Sequence, residues 1–86
     1  MTGEIKSGFQ FEIEEEALDD YELIEALADV DGGKPGRIVD AAKMLLGEQQ
    51  HAKLKEHIRG TGKRVSAKEM ISAVAEIMES CKTGKN

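Results

Sequence analysis

The sequence predicts a small α+β domain, mostly α, in which an N-terminal β-hairpin is followed by four short helices. Three observations predict it. Between residues 4 and 13, Ile5, Phe9, Phe11 and Ile13 alternate with Lys6, Gln10 and Glu12, the period of a strand with one buried face. Later stretches instead space their apolar residues at helical intervals. Glycines and a single proline separate those stretches at the points where regular structure has to stop.

The hairpin is expected over 3–14, with Ser7-Gly8 as a tight turn joining 3–6 to 9–14. A lone hairpin is barely stable in water, so Phe9, Phe11 and Ile13 must pack on helices. Helix one is expected over 18–31, capped by Asp19, with Glu22 completing a capping box. Its main apolar face is Leu18, Tyr21, Ile24, Leu27 and Ala28, and Leu23, Ala26 and Val30 make a second, weaker one. Residues 31–36, DGGKPG, form a loop in which Pro35 precedes the next helix, where a missing N–H costs little.

Helix two, over 36–46, carries Ile38, Val39, Ala42, Leu45 and Leu46, and Ala41 and Met44 widen this stripe beyond what one buried side requires. Gly47 ends it, since glycine takes the left-handed conformation of a helix C-terminus at little cost. Helix three, over 48–59, begins with Glu48, whose charge suits a helix N-terminus, and has a narrow seam of His51, Leu54 and Ile58. An abrupt glycine corner makes the two cross steeply. After the basic loop RGTGKR, Val65 is the expected anchor and Ser66 with Glu69 forms a capping box for helix four, over 66–81. Met70, Ile71, Val74, Ile77, Met78 and Cys81 give that helix its apolar stripe, and residues 82–86 are expected to fray.

Length and composition narrow the function. Eighty-six residues make one domain, 1–86, whose core is small and marginally stable alone. With only Phe9, Phe11 and Tyr21 as aromatics, that core must be aliphatic and methionine-padded. A lone cysteine cannot form an internal disulfide, which fits a reducing compartment. The N-terminus lacks the apolar run of a signal peptide, and no stretch approaches the roughly 20 apolar residues of a membrane span. The expected location is therefore cytoplasmic. The net charge of −5 is unevenly spread: residues 1–31 carry eleven acids and one base (−10), residues 32–86 six acids and eleven bases (+5). Either the halves complement each other within one fold, or the acidic end of one subunit meets the basic end of the next.

A search for reactive chemistry mostly excludes it. His51 and His57 are six apart and cannot share a metal on one helix, and His51 reads as a packed, hydrogen-bonded residue. Asp29, Asp31 and Asp40 occupy the first, third and twelfth places of a calcium-loop frame, but Lys34 stands where glycine is required and Asp40 lacks the reach of glutamate. Gly62-Lys63 lacks the remaining residues of a phosphate loop. Cys81, on an apolar stripe, reads as an inert buried thiol. No catalytic, cofactor-binding or metal-binding set is assigned, and the chain is not expected to be an enzyme. Arg59, Lys63, Arg64 and Lys68 make a basic patch that keeps a small DNA-binding transcriptional regulator as the alternative reading. Against it, Gly47 leaves too short a turn for a helix-turn-helix, and the whole chain is acidic.

Three segments taken together, SGFQFEIEEEALDDYELIEALAD, MLLGEQQHAKLKEHIRG and GKRVSAKEMISAVAEIMES, resemble the small tail assembly chaperones of long-tailed (siphovirus-type) phages and prophages of Gram-positive bacteria. The similar features are Ser7-Gly8-Phe9, the Leu18-Asp19-Asp20 helix start, the Leu45-Leu46-Gly47 corner, Leu54 with His57, and Val65 before a capped last helix, within residues 5–80. The resemblance implies a non-enzymatic protein of the bacterial host cytoplasm. Such proteins bind the tape measure protein and keep it soluble during tail assembly. They self-associate, and many have a second form lengthened by frameshifting. It implies a homo-oligomer, with no membrane partner, no cofactor, and nucleic acid disfavoured. Surplus apolar residues on helices one and two, namely Leu23, Val30, Val39, Met44 and Leu46, are the expected self-association or client-binding surface.

Overall fold

The computed structural model describes residues 1–83, with side chains to Cys81. The architecture is mostly helical, with an N-terminal antiparallel hairpin packed on helices. Strands β1 (Thr2–Glu4) and β2 (Gln10–Glu12) lead to a single helical turn, α1 (Glu15–Leu18), and then to α2 (Tyr21–Asp31). A 3-10 turn (Pro35–Arg37) runs into α3 (Ile38–Arg59), which Gly47 divides into two limbs, and α4 (Ala67–Thr83) closes the fold. The expected frayed tail falls on 84–86, outside the described residues, while α4 itself continues to Thr83.

The hairpin pairs Thr2 with Glu12, Gly3 with Phe11 and Glu4 with Gln10. That register leaves a three-residue loop, Lys6-Ser7-Gly8, rather than the expected two-residue turn. Gly8 takes φ 98°, and the Gly8 N–H donates to Ile5 O at 2.9 Å while Ile5 N–H donates to Phe9 O at 3.0 Å. A positive-φ glycine in third place is how a three-residue loop keeps the strands in step. Ile5, Phe9, Phe11 and Ile13 all point inward and are buried, as the alternation requires. The Phe11 ring lies across Gly3, where a Cβ would stand 2.7 Å from Phe11 Cζ.

Helix one of the sequence reading divides in two. Asp19 sits at φ −98°, ψ 10° and closes α1, with its N–H donating to Glu16 O. The cap of α2 therefore moves to Asp20, which has the extended backbone (φ −81°, ψ 114°) a cap requires and accepts from Glu22 N–H at 2.9 Å. The two faces of this helix are also reversed. Leu23 and Ala26 are fully buried, Leu27 and Val30 partly so, while Tyr21 is 79% and Ile24 46% exposed and Ala28 faces out. A steric reason accounts for it: α2 packs on α3, and Ala26 on the one and Ala41 and Ala42 on the other all have zero exposure, small residues that let two helix backbones approach closely. A face bearing Tyr21 cannot make that approach.

Gly47 adopts φ 78°, ψ 169°, positive but extended, and so outside the left-handed helical basin expected of it. The corner it makes turns the second limb of α3 beneath the hairpin. There Leu54 is fully buried, beside Ile77 and Val74 of α4 in one core cluster. Ser66 caps α4 as expected, its Oγ accepting from Glu69 N–H at 3.2 Å.

Candidate interaction grooves

The five residues expected to form one binding surface are dispersed. Leu23 (0% exposed) and Leu46 (5%) belong to the core, a correction with the same cause in both cases. The stripe that looked surplus on each helix is the one its neighbour covers. Leu23 is taken up by the α2–α3 packing. Leu46 lies just before the corner, where the hairpin and α1 pack on α3. Met44 is half-buried and lines a wide depression of 710 Å³ lipped by Glu14, Glu15 and Glu16. Val30 is half-buried in a groove between α2 and α4, and Val39, 48% exposed, edges a third depression over His51.

The α2–α4 groove encloses 330 Å³ between Ile24, Leu27 and Val30 on one side and Ile71, Ala75 and Met78 on the other, with Ile38 also lining it. Its floor is aliphatic and thioether, and Asp31 and Glu79 stand at its edge. The acidic surround follows from the sequence, since no Lys or Arg occurs between Lys6 and Lys34.

The groove over His51, of 300 Å³, has the opposite sign. Ile38, Val39, Val65 and Met70 supply apolar walls, and Lys43 and Lys55 supply charge. His51 is only 7% exposed, yet no hydrogen bond from a described residue reaches its imidazole, contrary to the hydrogen-bonded role expected of it. Among the described residues no buried polar side-chain atom lacks a partner, so the ring nitrogens are not sealed off but open on the groove that His51 lines. Burial, with Lys55 and Lys43 nearby, pushes its pKa below the ordinary histidine value against a smaller opposing effect of Glu48.

Several residues that local patterning did not single out hold the frame. The Gln50 amide bonds both backbone groups of Glu12, accepting from its N–H at 2.7 Å and donating to its carbonyl at 2.6 Å, and it also donates to Leu46 O at 2.9 Å. In effect it acts as a fragment of a third strand along β2. Glu76 accepts from Lys6 N–H at 2.7 Å, and His57 Nε2 lies 3.1 Å from Ser7 Oγ with its ring tilted against Phe9. The loop acids are tied as well: Arg37 donates to Asp29 at 3.0 Å and Asp40 at 2.5 Å, and these carboxylates, Asp29 foremost, raise the guanidinium pKa further. Two of the three candidate calcium carboxylates are thus engaged by a cation.

Cys81 is buried, which raises its thiol pKa and disfavours the thiolate. In the basic patch Arg59 is bonded to Glu56, while Lys63, Arg64 and Lys68 are exposed. Among the described residues no group of three or more His, Cys, Asp or Glu is placed to hold a metal ion, and no helix is long and apolar enough to cross a membrane. Comparison of the chain with protein-family models, curated proteins and solved structures gives no match.

Proposed function

We propose that this protein is a non-enzymatic tail assembly chaperone of a long-tailed phage or prophage, one that binds an apolar helical client, the tape measure protein, and keeps it soluble. The observation that carries the reading is the open α2–α4 groove, in which Ile24 is 46% exposed beside Ile71 and Met78, with no element among the described residues covering it. Apolar side chains of a client helix, presented every three or four residues, would fill such a groove. Met78 at its wall provides the adaptability that a holder of many similar segments needs. The resemblance over residues 5–80 is the ground for naming the client, and the groove supports the reading.

The test is co-production with a tape measure protein, whose long helical reading frame is expected just downstream. The client should partition into the soluble fraction with the wild-type chain. Ile24→Asp and Met78→Asp, both at the groove and outside the fully buried core, should lose that effect while far-UV circular dichroism stays unchanged. A client that stays insoluble, or one held equally well by both variants, overturns the proposal. Exposed Lys63, Arg64 and Lys68 keep a DNA-binding regulator as the competing reading. Tight, salt-sensitive retardation of duplex DNA, together with no effect on the client, would establish that reading instead.

A further inference from the structure

We infer that the groove over His51 is a binding site for a small alkyl carboxylate. Its walls, Ile38, Val39, Val65 and Met70, are aliphatic or thioether, with no aromatic ring on which a flat ligand would stack. Its polar groups converge on one anion. Lys43 and Lys55 line it, and no ion pair engages either among the described residues. With Glu48 nearby, the charges acting on His51 are two positive against one negative, a surplus that a single carboxylate cancels. The imidazole is 7% exposed, has no hydrogen-bond partner among the described residues, and opens on the same space. A carboxylate there makes a charge-assisted hydrogen bond largely shielded from water. The groove's 300 Å³ holds about ten atoms of water size, the heavy-atom count of octanoate.

The site draws on three parts of the chain. Val39 and Lys43 stand before the Gly47 corner, His51 and Lys55 after it, and Met70 on α4. An occupant therefore bridges both limbs of α3 and α4, and by binding only the folded chain it stabilises that arrangement. The site is independent of the client reading, since it uses a different groove. The two grooves share only Ile38, a core residue 5% exposed that the test leaves unchanged.

The test is calorimetric titration of the whole chain with octanoate at neutral pH. Binding should saturate at one octanoate per chain with a Kd of about 1 mM or less. Octanol keeps the alkyl tail without the charge, and acetate keeps the charge without the tail; each should bind at least about tenfold more weakly. Lys43→Gln with Lys55→Gln should weaken octanoate binding by at least about tenfold. Lys34→Gln with Lys63→Gln, an equal change in net charge at exposed positions away from the groove, should bind as wild type does. NMR titration of His51 gives a second readout. Its charged neighbours Lys43, Glu48 and Lys55 all lie on its own helix, and the facing residues Val65, Ala67 and Met70 are uncharged. Saturating octanoate should therefore raise the His51 pKa, and octanol should not. The octanol comparison and the His51 titration use the wild-type chain, so they decide the matter even where a variant fails to fold. No saturable binding, octanol bound as tightly as octanoate, a folded Lys43 and Lys55 variant that binds unchanged, or a His51 pKa that octanoate does not raise would each overturn the inference. None of these outcomes bears on client solubility, which is read at the other groove.

Discussion

On the eleven residues of α2, Leu23 and Ala26 have no solvent exposure, while Tyr21 and Ile24, one or two positions away, are 79% and 46% exposed. Hydrophobicity does not separate the two faces; shape does. The inner face is the one with a small residue at the crossing, because Ala41 and Ala42 on α3 accept a close neighbour and no bulky ring. The outer face keeps its large side chains, Tyr21 mostly in solvent and Ile24 nearly half so at the mouth of the α2–α4 groove. An apolar stripe therefore shows that a helix covers something, and the size of the residues at its centre shows whether that something is close-packed.

The largest effect that would break this distinction is at Leu23. Truncation to Ala should cost about 2–5 kcal/mol, the range for a filled core site left as a cavity, read as a lowered denaturation midpoint with unchanged slope. Ile24→Ala should cost under about 1 kcal/mol, because much of that side chain is already in water. Comparable losses at the two positions would mean that the outer face is covered in solution by something bound to the chain.

Much of the frame was legible. The alternation of Ile5, Phe9, Phe11 and Ile13 located the hairpin and its buried side, and Ser66 and Gly47 marked where helices start and turn. The choice between faces of α2 was not legible, since the deciding residues, Ala41 and Ala42, lie on another element. Nor was the cap: Asp19 and Asp20 are chemically equal, and only the prior helical turn at Glu15–Leu18 uses up the first of them. Gln50 carried no local signal because its partner, the Glu12 backbone, is 38 positions away. The candidate surface fared worst, with two of its five residues in the core, for the reason that misassigned the faces of α2.

Gly47 sharpens the comparison from the opposite partner. It sets the angle between the two limbs of α3, the helix that packs on both α2 and β2. A Cβ there would touch nothing within 4 Å, so any cost of Gly47→Ala comes from the backbone alone. At φ 78°, ψ 169° that cost should be about 1–3 kcal/mol, because side-chain-bearing residues are nearly absent from this region. Gly36→Ala is the matched control, equally open but without a positive φ, and its unfolding midpoint should move little or rise slightly. Equal behaviour of the two would mean that the corner relaxes at no cost and does not fix the position of the α2 inner face.

His51 blurs the boundary between inside and outside, and its effect should be smaller than either of these. It is as buried as the core residues, yet its nitrogens open on a groove. Burial with Lys55 and Lys43 lowers its folded pKa, so the unfolded chain binds the proton more readily. Below the unfolded value of about 6.5 the unfolded state gains protons that the native state resists, so this residue makes stability fall as pH drops and has no effect above that value. Other groups also titrate in acid, which makes the informative quantity a difference. The wild-type loss of stability between about pH 7.5 and 5.5 should exceed that of His51→Gln, measured by urea denaturation in dilute, monomeric solution. Identical losses would place the imidazole in water, with the exposed face of Tyr21 rather than with the core. A smaller loss in the wild type would mean that a carboxylate already holds the ring, and the groove would then be filled in the single chain.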